Sequence, residues 1–183
     1  MIRSVVKYID LLSLDFVSNI TKSPHHHITT SPHQRSLKKN MVKNNFNHPI
    51  LLVEDNPVDV DLTLRAFKLR KLMNPIVVAR DGEEALSFVK KWLDGEPLPV
   101  LILLDLQLPR VNGLDVLREI KSNPKLKSIP IVILSTSSDD IDIKTAYELG
   151  ANSYIEKPVD FEKFIEVITQ IELYWNVINK TLL

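Results

Sequence analysis

From Ile50 onward the chain alternates short apolar runs with longer segments whose apolar residues recur every three or four positions. The runs ILLV at 50–53, PIVVA at 75–79, VLILL at 100–104, IPIVILS at 129–135 and the shorter SYIE at 153–156 predict five strands. Asn56 can cap a helix with Pro57 in its first turn, where a missing N–H costs nothing, and Val60, Leu64, Phe67 and Leu72 fall near one stripe of it. Asp81 caps a second helix through EEALSFVKKWL, ended by Gly95, Pro97 and Pro99. Asn112 and Gly113 open a third, LDVLREIKS, which stops near Pro124. Ser137 or Ser138 caps a fourth ending at Gly150, and Asp160 caps a long last helix to about Ile178. Unbroken apolar strands between amphipathic helices predict a parallel sheet covered on both faces. Right-handed crossovers then favour an α/β doubly wound, five-stranded sheet of order 2-1-3-4-5 with five flanking helices.

The first 48 residues read differently. They carry seven Lys and Arg against two Asp and Glu, whereas residues 49–183 carry sixteen against twenty-one, so the net charge of zero conceals a basic segment ahead of an acidic core. All five histidines fall in the basic segment and all four glycines in the core. Ile2, Val5, Val6, Ile9, Leu12, Phe16 and Ile20 suit one helical face, and the polar stretch TKSPHHHITTSPHQRSLKKN suits disordered linker. Residues 1–48 are thus expected to be a disordered or partly helical extension. Asp10 and Asp15 interrupt any signal-peptide core. His25, His26 and His27 read as a solvated tract rather than a metal site of defined geometry. Met41 is a plausible start, with the segment before it upstream sequence rather than a membrane-surface helix. The absence of cysteine excludes disulfides and thiolate metal sites. No apolar run approaches the 18 residues of a membrane span.

In a sheet of this order the active crevice lies beyond the carboxyl ends of the strands, at the switch point between strands 1 and 3. Glu54 and Asp55 follow strand 1, Asp105 follows strand 3, Ser135 and Thr136 end strand 4, and Lys157 follows strand 5. VEDNP contains no glycine, so a phosphate-cradling loop is not expected there. Three adjacent carboxylates repel unless a cation joins them, and a hard divalent ion such as Mg²⁺ suits oxygen donors. An ammonium and a hydroxyl opposite the metal suit phosphoryl oxygens, and a carboxylate can be the nucleophile, forming an aspartyl-phosphate. Asp59 and Asp61 are expected only to favour the helix N-terminus.

VEDNP, LLDLQLP followed by NG, ILSTS and GANSYIEKP together resemble the four signature segments of response-regulator receiver domains of two-component signalling. The resemblance spans about residues 49–175, and it implies a flavodoxin-like receiver domain over 49–180. It implies that Asp105 is the phosphoacceptor, that Asp55 ligates Mg²⁺ directly and Glu54 largely through water, and that Gln107 offers the metal its backbone carbonyl. Ser135 and Lys157 would bind the phosphoryl group, with a cis Lys157–Pro158 bond. Tyr154 would turn inward as Ser135 moves. Glu54 stands where aspartate is commoner, and Thr136 where a small residue is commoner, which would affect access to the phosphoryl group.

The resemblance further implies a cytoplasmic phosphoacceptor with no separate substrate to turn over, fed by a sensor histidine kinase. After the last helix the sequence shows no helix-turn-helix, and its acidic core disfavours DNA, so the output is expected to be a protein contact. WLDGEPLP and IELYW look similar to stand-alone receivers acting downstream of bacterial phytochromes, which form homodimers through the last helices. Two rivals remain: a hydrolase of small phosphate esters with an aspartyl-phosphate intermediate, and a binding module independent of phosphorylation. Gln107 stands where one such hydrolase class has a second aspartate, and no capping insertion is present. The second rival fits a chain lacking Asp105, Asp55 or Lys157, and all three are here.

Overall fold

The structure, a computed structural model, describes residues 48–69, 72–172 and 174–175. The expectations for the N-terminal helix, the histidine tract and Met41 lie outside these residues, as do the last turns to Ile178. The described chain runs β1 (Ile50–Val53), α1 (Pro57–Leu69), β2 (Ile76–Ala79), α2 (Gly82–Leu93), β3 (Leu101–Leu104), α3 (Gly113–Ser122), β4 (Ile131–Ser135), α4 (Asp140–Glu148), β5 (Ser153–Glu156) and α5 (Phe161–Glu172). The five strands form one parallel sheet of order β2-β1-β3-β4-β5.

Successive strand residues face opposite sides of the sheet, and both sides are covered. Leu51, Val53, Ile102, Leu104, Ile131 and Ile133 pack with Ala85, Val89 and Trp92 of α2 and Val116, Leu117 and Ile120 of α3. The alternate residues Ile50, Leu52, Leu101, Leu103, Val132 and Leu134 pack with Val60, Ala66 and Phe67 of α1 and Phe164, Ile168 and Ile171 of α5. Burial on both faces explains why these strands carry no polar alternation.

Three local expectations change. Pro75 and Pro130 precede β2 and β4 rather than belonging to them. Proline has no N–H for the ladder, but the carbonyls of both accept, from Ile50 and Ile102 at 2.9 Å. The cap of α4 is Asp139, whose side chain accepts from the Ile141 N–H at 2.8 Å, while Ser137 Oγ is taken up by Asp142 at 2.6 Å. On α1 the buried residues are Val60, Thr63, Ala66 and Phe67, and Leu64 is half-buried, because the helix packs over β1 and against α5 at once. The caps Asn56, Asp81, Asn112 and Asp160 all accept backbone N–H bonds as expected.

Candidate functional site

The register aligns the carboxyl ends of the strands. Val53 pairs with Leu104, Leu104 with Ile133, and Ser135 with Glu156. Ladder bonds continue one residue further: Glu54 N–H donates to Ala79 at 2.9 Å, Asp105 N–H to Val53 at 3.0 Å, and Lys157 N–H to Ser135 at 2.8 Å. Residues far apart in the chain therefore leave the sheet side by side.

Lys157 is the centre of the cluster. Its Nζ lies 2.6 Å from Glu54 Oε2, 2.6 Å from Asp105 Oδ2 and 3.0 Å from Asp59 Oδ2. Glu54, Asp105 and Lys157 are buried. Desolvation pushes the Glu54 carboxyl up to about 7, against the opposing pull of Lys157. Burial also works against the charge on Lys157, but its hydrogen bonds to Asp105 and Glu54 outweigh that and hold it above the ordinary lysine range.

Asp55 is exposed at the rim, and one carboxylate oxygen each from Glu54, Asp55 and Asp105 lies within 4.8 Å of the other two. Three anionic oxygen donors at that spacing, one facing solvent, form a donor set that fits a hard divalent cation. Gln107 is also exposed. Its N–H donates to Asp105 Oδ1 at 3.1 Å, fixing the carboxylate from its own loop, and Thr136 Oγ1 donates to the Gln107 side-chain oxygen at 3.1 Å. Thr136 thus spans from the end of β4 to the loop that carries Asp105.

Ser135 is fully buried at the end of β4. The Tyr154 hydroxyl donates to the Ser137 carbonyl at 2.8 Å, tying β5 to the loop that follows Ser135. Burial raises the pKa of its phenol. The Lys157–Pro158 peptide is trans, not the cis bond that the resemblance implied. Trans is the favoured isomer of an X–Pro bond, and from it Lys157 reaches all three carboxylates.

Two supports have no counterpart in the expectations above. Asp59 is not merely a helix-terminus charge, since it shares Lys157. Asp59 lies four residues before Thr63, which the structure buries, and so on the inner face of α1. Asp61, by contrast, forms an exposed pair with Arg65. Arg110, at φ 66°, bridges the buried Asp81 at 2.7 Å and Glu83 at 3.0 Å, clamping the β3–α3 loop to the start of α2.

Known proteins resemble this chain in sequence and fold. Residues 50–169 match the family described as the response regulator receiver domain. The probable methanogenesis regulatory protein FilR2 of Methanothrix harundinacea is 42% identical over 127 residues, 69% of this chain and 82% of that protein. Response regulator Rcp1 of Synechocystis is 39% identical over 128 residues, 69% of this chain and 87% of its own length. The Mn²⁺-bound structure of Rcp1 superposes with a TM-score of 0.70 at 36% identity, covering 74% of this chain and 99% of that one. The phosphorylated cyanobacterial phytochrome response regulator RcpA superposes with a TM-score of 0.71 at 37% identity, covering 75% and 99%. A doubly wound sheet whose strand ends gather three carboxylates and one lysine, matched over residues 50–169, makes this chain a member of the response-regulator receiver family.

Proposed function

We propose that Asp105 is the phosphoacceptor and that a sensor histidine kinase is its donor. The observation that carries this reading is Lys157, buried and 2.6 Å from Asp105, beside a trio of carboxylates that fits a divalent cation. In the transfer, an Asp105 carboxylate oxygen attacks phosphorus. The phosphorus–nitrogen bond of a phosphohistidine breaks, and the imidazole leaves with the electron pair and takes up a proton. The chain's own residues position and neutralise: Lys157 and Ser135 take phosphoryl oxygens, and the Gln107 N–H holds the attacking carboxylate. Asp55, Asp105, the Gln107 carbonyl and, through water, Glu54 would hold Mg²⁺, which neutralises charge on the phosphoryl group. The Mn²⁺-bound Rcp1 and the phosphorylated RcpA support both halves of this reading.

Signalling follows from the tie between Tyr154 and the Ser137 carbonyl. When Ser135 shifts toward the phosphoryl group the loop moves, and the Tyr154 ring follows. The output is a protein contact, not DNA, and no substrate is turned over. On α5, Phe161 is exposed, as is Tyr174 beyond it, which supports a homodimer through this helix. The phytochrome response regulators among its relatives support a phytochrome-like donor kinase. No described helix is long and apolar enough to cross a membrane.

Incubation with Mg²⁺ and a small-molecule phosphodonor should add one labile phosphoryl group by intact mass, and Asp105→Asn should add none. A wild-type protein that takes up no phosphoryl group from such a donor or from its kinase would sink the reading. Sustained hydrolysis of a phosphate ester would favour the hydrolase instead.

The raised Glu54 pKa sets a pH dependence. Below about 7 the group is protonated in the folded protein, and a cation held beside it through water favours release of that proton. Divalent-cation affinity should therefore climb as pH rises toward 7, by up to about tenfold per unit, and flatten above it. Calorimetric titrations between pH 5.5 and 8 test this. An affinity independent of pH across that window contradicts a protonated Glu54.

The same shift bears on folding. Between 4.5 and about 7 the folded state holds a proton that the unfolded chain releases, so this group's contribution to stability falls as pH rises through that window.

A further inference from the structure

Lys157 has three N–H bonds and three carboxylate partners, so its ammonium is fully committed. Two of those partners, Glu54 and Asp105, belong to the carboxylate trio at the strand ends. The third, Asp59, does not. It reaches in from the first turn of α1, at 3.0 Å rather than 2.6 Å, and its side chain is 22% exposed where those of Glu54 and Asp105 are 3% and 6%. Nothing in the chemistry of a phosphorylated Asp105 needs this third bond. An aspartyl-phosphate carries more negative charge than the carboxylate it replaces. Its phosphoryl oxygens inherit the N–H that Asp105 held, and any second N–H must be won from Glu54 or Asp59.

Resting on the assignment of Asp105 as phosphoacceptor, we propose that Asp59 is a positioning residue for Lys157. It holds one ammonium N–H toward α1, and by competing with the phosphoryl oxygens it sets how readily the phosphorylated state forms. Asp59 acts only through Lys157, so its effect vanishes when Lys157 is absent. Its role as a first-turn charge favouring the helix N-terminus predicts no such dependence.

The test uses a fluoroberyllate as a non-covalent mimic of the phosphoryl group, at saturating Mg²⁺ so that changes in metal affinity do not enter. Asp59→Asn should bind the mimic about tenfold more tightly than wild type, the equivalent of one charge-assisted hydrogen bond regained. Asp59→Glu, which keeps the carboxylate, should behave as wild type. In a Lys157→Ala background, Asp59→Asn should leave affinity unchanged. An Asp59→Asn affinity equal to or weaker than wild type overturns the proposal. So does an equal gain without Lys157, which would mean plain charge repulsion. A wild-type protein that binds no mimic overturns the phosphoacceptor assignment and this proposal with it. Binding by wild type that is lost in Asp105→Asn keeps the assignment standing whatever Asp59 does.

Discussion

Lys157→Ala is expected to lose about 3 kcal/mol of stability by chemical denaturation at pH 8 without divalent cation, because breaking a buried ion pair leaves its partner charges uncompensated. Here the partners are two buried carboxylates and a third at the edge, all bonded to one nitrogen. The sign of the pH dependence follows from which groups are stranded. Without the ammonium the pull that lowers the Glu54 pKa is gone, so Glu54 takes up a proton more readily than in wild type. The loss is largest at alkaline pH and shrinks as pH falls and Glu54 is neutralised. Mg²⁺ should restore part of the stability at pH 8, since a cation can answer the carboxylates that the ammonium no longer does. A variant within about 1 kcal/mol of wild type at pH 8, with no response to Mg²⁺, would mean that the ammonium is not what holds the cluster together.

Gly113→Ala should be nearly as costly, for a steric reason. A Cβ at Gly113 would stand 2.1 Å from the Asp105 carbonyl oxygen and 2.7 Å from Leu106 Cα. Both are backbone atoms and cannot swing aside. The Gly113 N–H also donates to the Leu106 carbonyl at 3.0 Å, so the start of α3 is bonded to the loop it would have to push away. Overpacking of this kind costs about 3 kcal/mol at the upper end of its usual range. The loop that must yield is the one that carries Asp105. A displacement of that carboxylate by an ångström can slow the transfer roughly 100-fold. Urea denaturation and the rate of phosphoryl uptake measure the two effects.

Gly95→Ala is the control. Gly95 sits at φ +104° with nothing within 4 Å, so alanine there meets backbone strain but no neighbour. It should cost about 1 kcal/mol and leave phosphoryl uptake unchanged. Equal effects at the two glycines would show that contact with the Asp105 loop is not what Gly113 serves.

The fold was largely legible because each signal was local. Unbroken apolar runs such as LILL at 101–104 marked strands covered on both faces, and Asn56, Asp81, Asn112 and Asp160 marked helix starts through side chains that bond N–H groups two or three residues on. The fourth cap was misplaced because Ser137, Ser138 and Asp139 stand together and all can cap. Only the packing of Ser137 against Asp142 left the role to Asp139.

The site divides in the same way. That Glu54, Asp55, Asp105, Ser135 and Lys157 meet at one edge could be read from the chain, because in a parallel doubly wound sheet every strand's carboxyl end faces the same side. The allocation of Lys157 among its acceptors could not. Asp59 and Lys157 are 98 residues apart, and their contact depends on how α1 lies against α5 and β5. The clamp of Arg110 on Asp81 and Glu83, and the span from Thr136 to Gln107, are likewise meetings of loops from different strands. Periodicity and caps are written within a few residues and can be read there. Which of four nearby carboxylates share one ammonium, and how tightly Gly113 presses on the loop that carries Asp105, turn on distances of a few tenths of an ångström that exist only once the helices are packed on the sheet.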